Sequence, residues 1–153
     1  MPFEFRLEKV LKYRKRVVEK HTRDVAQANR TVVGIQEKVQ AMGEDIHQVL
    51  QAKGQELHST MNVETLIARG QWLAFLEDML KEMEIDLATA QAELSRQRGF
   101  LTSAWQDLEV LERLREKQKT MWFEEQGKLE NKDLDEIGQI RADRSQREKV
   151  STS

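Results

Sequence analysis

The chain reads as all-α: two long helices forming an antiparallel coiled-coil hairpin, with a longer, overhanging second helix. Three observations carry this. Apolar residues recur every seven positions over two long stretches. A short segment rich in Gly, Ser, Thr and Asn separates them. The 153 residues include one proline, Pro2, seven glycines and 34% charged side chains. That is the usage of long helices rather than of a mixed globular domain.

In the first stretch the seven-residue line runs Leu11, Val18, Val25, Val32, Val39, Ile46. Its companion, three residues on, runs Arg14, His21, Ala28, Ile35, Met42, Val49. This is a heptad pattern with a largely β-branched first line and a mixed second line. The pattern breaks at KGQELHSTMN, residues 53–62, where Gly54 suits a helix end and Ser59 or Asn62 an N-cap. The second stretch carries Leu66, Leu73, Leu80, Leu87, Leu94, Leu101 and Leu108 in one register, with companions Arg69, Leu76, Met83, Ala90, Gln97, Ala104 and Leu111. A repeat of seven held this long predicts a left-handed supercoil.

The expected layout is one coiled-coil domain over residues 1–153: helix 1 about 6–53, turn about 54–61, helix 2 about 62–141, and a flexible tail 142–153 without apolar period. A short connection makes neighbouring helices antiparallel, and a turn centred near 58 makes facing residue numbers total about 116. Leu11 then falls near Trp105, and Val32 near Met83 and Leu87. The second helix would run about 120 Å against about 70 Å for the first. Residues 111–141 would overhang alone, carrying Leu111, Leu114, Met121, Trp122, Phe123, Leu129, Leu134, Ile137 and Ile140. A lone helix with an uncovered apolar stripe wants a partner; the alternative is that it self-associates or frays.

Composition excludes several functions. Mean hydropathy is −0.71, and no apolar run approaches the ~18–20 residues of a spanning helix, so no direct membrane insertion is expected. The N-terminus lacks the apolar core of a signal peptide, so the expected location is cytoplasmic. The absence of cysteine removes disulfides, thiol catalysis and zinc–thiolate sites. Net charge is −2, unevenly spread: residues 1–30 are basic, 31–140 acidic and 141–153 basic again. An acidic middle argues against nucleic acid as a partner. There is no Gly-rich phosphate loop, HExxH or nucleophile motif. His21, His47 and His58 are scattered, and EEQ at 124–126 and DLDE at 133–136 suit solvated helix. The expectation is therefore no catalytic residues, no metal, no cofactor and no enzyme activity.

What remains is binding. In GQWLAFLEDMLKEM, residues 70–83, Leu73, Leu76, Leu80 and Met83 fill the seam, while Trp72, Phe75 and Met79 lie outside it. Trp72, Leu76, Met79 and Met83 share one stripe at the seam's edge. Trp and Met together suit an adaptable docking surface; equally, this excess could thicken the seam near the turn. At the N-terminus, FEFRLEKVLKYRKR (residues 3–16) puts Phe3 and Phe5 directly before Lys9, Lys12, Arg14, Lys15 and Arg16.

That N-terminal stretch resembles the start of the FliJ family of flagellar export proteins, with Phe5, Leu7, Glu8 and Leu11 filling an F-x-L-E-x-x-L pattern. ENKDLDEIGQIRADR, residues 130–144, resembles that family's ending. His21 and the turn match no family pattern. The resemblance implies a non-enzymatic part of the flagellar type III protein export apparatus, peripherally associated with its membrane-bound portion. It implies three partners: the hexameric flagellar export ATPase, in which the chain would act as central stalk and activator; the cytoplasmic domain of the large export-gate membrane protein; and the export chaperones it escorts. On that basis the ATPase contacts are expected at Phe3, Phe5, Lys9, Lys12, Arg14, Lys15, Arg16, Trp122, Leu134 and Ile137, with the aromatics packing near Leu111 and Leu114 or into the ring. The export-gate contacts are expected at Trp72, Leu76, Met79 and Met83. The rival readings are a generic structural coiled-coil scaffold or adaptor, a rotary-ATPase stalk subunit (for whose extra domain the chain has no room) and a nucleic-acid-binding helix.

Overall fold

The computed structural model describes residues 2–56 and 62–151. It contains two helices, α1 Glu8–Glu56 and α2 Val63–Ser151, of 49 and 89 residues, and no strand among the described residues. The chain is all-α, and the second helix is the longer.

Local chemistry sets the helix starts. Residues 2–5 are non-helical, and α1 begins as the Glu8 N–H donates to the Phe5 carbonyl at 3.1 Å. Asn62 caps α2: its Oδ1 accepts from the Glu64 N–H at 3.3 Å, and its carbonyl accepts from the Thr65 and Leu66 N–H groups. Glu64 in the first turn and Lys149 in the last complement the helix dipole. Ser59, the other cap candidate, and most of the expected turn lie outside the described residues.

The helix ends depart from expectation. Gly54 lies inside α1, and no glycine described here adopts a positive φ, so it does not end the helix. At the other end α2 continues to Ser151 rather than stopping at 141. The segment 142–151 holds no Gly or Pro and is rich in Ala, Arg, Gln, Glu and Lys, all good helix formers. Its lack of apolar period governs whether it packs, not whether it coils.

The chain divides into two compact units: Met1–Lys15 with Gln106–Ser153, and Arg16–Trp105. In the larger unit the α1 and α2 segments pair antiparallel. His21 meets Phe100 at 5.9 Å between ring centroids, and Asp24, Gln27, Ala28 and Thr31 share a groove with Glu93 and Gln97. Its core is Val18, Val32, Leu76, Leu94 and Ala104. In the other unit Arg14 pairs with Asp107, Glu8 with Arg115 and Phe3 with Trp122, again antiparallel, over buried Phe5, Leu11 and Leu108.

Every residue on the two α1 lines is buried or half-buried, and on the α2 lines only Leu66 is exposed. The packing is one seam wide, so among the described residues no large side chain is completely enclosed. Each buried Leu or Val contributes about 1.5–3 kcal/mol.

The register differs from the expected one. Facing residue numbers total 121 for His21 with Phe100 and for Arg14 with Asp107, not 116. α1 also runs on to Glu56, past its expected end at 53. Trp105, expected opposite Leu11, is an exposed residue. The total then rises to 123 for Glu8 with Arg115 and 125 for Phe3 with Trp122. Non-helical chain advances up to about 3.3 Å per residue against 1.5 Å in a helix, so the N-terminal strap reaches farther along α2 than a continued helix could. As a result Leu111 and Leu114 are half-buried, and the uncovered part of α2 begins after Gly127 rather than at 111.

Candidate protein-binding surfaces

Among the described residues no group of His, Cys, Asp or Glu is arranged to hold a metal ion, and no helix is long and apolar enough to cross a membrane. The surfaces with chemistry to offer lie on each unit separately.

In the unit formed by Met1–Lys15 and Gln106–Ser153, the N-terminal strap folds onto α2. Phe5 is only 7% exposed. Phe3 lies tilted against Trp122 at 6.1 Å, and Trp122 meets Phe123 edge-on at 5.0 Å. Beside them opens a cleft of about 540 Å³, lined by Pro2, Phe3, Glu4, Gln118, Met121, Trp122 and Glu125. The two N-terminal aromatics therefore act first within the unit. Phe5 is spent on the seam, and Phe3 with Trp122 forms a half-buried ring pair.

The basic residues separate into two groups. Arg14 is engaged with Asp107 at 3.3 Å. Lys9, Lys12 and Lys15 are exposed on α1, with Lys15 beside a groove that also contains Glu112 and Glu116. Arg16, also exposed, belongs to the other unit. Leu134 and Ile137 are exposed on the uncovered end of α2. Of the expected ATPase-contact residues, Lys9, Lys12, Lys15, Arg16, Leu134 and Ile137 are open to a partner, Phe3 and Trp122 partly, and Phe5 not at all.

In the unit Arg16–Trp105, the expected gate stripe splits. Leu76 is a core residue, and Met79 and Met83 are half-buried. Trp72 stands out at 51% exposure, stacked on Phe75 at 5.6 Å and 27°. Phe75 is equally exposed, so the aromatic pair lies outside the seam rather than thickening it. A stacked, solvent-facing Trp and Phe is one apolar surface this unit presents. In the same unit His21 fills its seam position beside Phe100, 3.8 Å from Asp24, with its Nδ1 buried and without a hydrogen-bond partner.

Two contributors escaped the sequence reading: Arg115 reaches Glu8 at 3.3 Å and Glu116 at 3.8 Å, and Asp107 receives Arg14. Phe75, read as lying outside the seam but not among the expected gate contacts, completes the aromatic pair. A signal for the first existed: the leucine line, continued past Leu108, reaches Arg115 and Trp122, both half-buried. The seam continues there with a charge and an aromatic instead of leucine.

The sequence profile of the flagellar FliJ protein family matches residues 3–147. The chain belongs to the FliJ family, and is thus a component of flagellar type III protein export. No curated protein matches the sequence. Among solved structures the fold is similar to one described as a YscO homolog from Chlamydia trachomatis, with a TM-score of 0.62 and 19% identity, covering 91% of this chain and 94% of that one.

Proposed function

We propose that the protein is a non-enzymatic, cytoplasmic activator of the hexameric flagellar export ATPase, acting as its central stalk, and that it also contacts the cytoplasmic domain of the large export-gate protein and escorts export chaperones. The observation that carries the stalk reading is the end of α2: residues 128–151 are helical, exposed throughout, and carry Leu129, Leu134, Ile137 and Ile140 uncovered among the described residues. A single helix that leaves its own seam while still bearing apolar residues suits insertion into another protein's lumen. The exposed Lys9, Lys12 and Lys15 supply positive charge in the same unit. Weak charge contacts of this kind bias subunit closure without locking one geometry, as an asymmetric rod in a symmetric hexamer requires. The stacked Trp72 and Phe75 are the surface offered to the gate domain.

The test is ATP hydrolysis by the cognate export ATPase titrated with this protein. The expected result is stimulation saturating near one chain per hexamer, lost on joint reversal of Lys9, Lys12 and Lys15 to Glu with helix content unchanged. Full stimulation by that variant rejects the basic contact. No effect from folded wild-type protein rejects the stalk reading and favours a scaffold.

A further inference from the structure

The uncovered end of α2 carries a pattern that is complementary to itself. Glu130, Asp133, Ile137, Ile140, Arg144 and Arg147 are separated by alternating steps of three and four residues, which places them on one helical line. Read along that line, the order is acid, acid, apolar, apolar, base, base. All six side chains are exposed, and none of the four charged ones makes an ion pair among the described residues.

We propose that this face is a self-association surface: residues 130–147 of two copies pair antiparallel about a two-fold axis. With Ile137 of one copy facing Ile140 of the other, Asp133 faces Arg144 and Glu130 faces Arg147, and the symmetry repeats each pairing. The apolar layers exclude water at the centre, and two acid–base layers close each side. A parallel, in-register pair would set the acids against acids and the arginines against arginines, so charge selects the antiparallel arrangement. The long arginine stems pack along the seam while their guanidinium groups reach the carboxylates.

The pairing is weak by construction. The segment spans about 27 Å and holds only the isoleucines as its apolar centre. On one shoulder Glu136 and Asp143 approach each other as like charges. A weak, reversible pair suits a resting form that covers Ile137 and Ile140 until a stronger partner takes the same face. The inference does not rest on the proposed ATPase contact; where both hold, the two occupants exclude each other.

The test is sedimentation equilibrium of the full chain up to ~0.5 mM, where mass action reveals a weak dimer. Wild type is expected to show concentration-dependent dimer. Joint Glu130→Lys and Asp133→Lys is expected to raise the dimer dissociation constant at least ~10-fold, as is joint Arg144→Glu and Arg147→Glu. The quadruple variant combining all four changes reverses the pattern end for end and is expected to dimerise like wild type. Circular dichroism confirms that each variant remains helical. Monomeric wild type at the highest concentration overturns the proposal. So does a dimer indifferent to the paired swaps, or a quadruple variant that fails to recover.

Discussion

His21 is the residue whose identity the seam explains least. It occupies a position where its neighbours on the same heptad line are Ala28, Ile35 and Met42, and its Nδ1 is buried without a hydrogen-bond partner. The Asp24 carboxylate at 3.8 Å is too distant for a hydrogen bond. A buried polar atom left unsatisfied costs more than an apolar one of similar shape in the same place. His21→Leu is therefore expected to stabilise the protein by about 1 kcal/mol, through removal of that atom and added contact with Phe100. A rise in the urea midpoint checks this; a fall would mean that His21 is satisfied in solution. Arg14, on the same line, differs because its guanidinium escapes the seam to reach Asp107. That pair is partly exposed and contributes at most a few tenths of a kcal/mol.

The two long helices and their buried faces were legible in the sequence because periodicity reports burial directly. Leu11, Val18, Val32, Leu76, Leu94, Ala104 and Leu108 all stand on the lines read from spacing alone. Register was not legible: a helix slid by a few residues presents nearly the same line, and only pairs such as Arg14 with Asp107 fix the offset. The N-terminal strap was hidden for another reason. Its residues have no helical period, so Phe3 and Phe5 look like free aromatics until they are seen on α2. Phe5→Ala is expected to cost about 2 kcal/mol, the value of burying one aromatic ring, and to release the strap so that trypsin cuts sooner after Arg6. Unchanged cleavage would show that the strap is held without Phe5. At the far end of α2, residues 128–147 are exposed throughout, so tertiary packing adds little to their helix propensity. Their amides are expected to exchange with solvent far faster than those around Leu94 and Ala104, as mass spectrometry of deuterated protein would show.

Across the whole chain, the two proposed surfaces draw on different physics, and that difference separates them experimentally. The ATPase reading joins exposed lysines of a basic N-terminal segment to the uncovered end of α2 in the same unit, whereas the gate reading rests on a stacked Trp72 and Phe75 outside the seam. Contacts between exposed charges are screened once their separation exceeds the Debye length, about 10 Å at 0.1 M salt and about 3 Å at 1 M. Burial of aromatic surface loses nothing to salt of this kind and rises slightly with strongly hydrated anions. Raising sodium chloride from ~0.05 to ~0.5 M is therefore expected to weaken half-maximal ATPase stimulation severalfold, while affinity for the isolated gate domain changes little. Trp72→Ala with Phe75→Ala is expected to do the reverse, lowering gate-domain affinity at least ~10-fold and sparing stimulation. Both changes lie on exposed side chains, so helix content should be unaltered. If salt weakened both activities in parallel, the aromatic pair would not be the gate contact, and the charged face would have to serve both partners in turn.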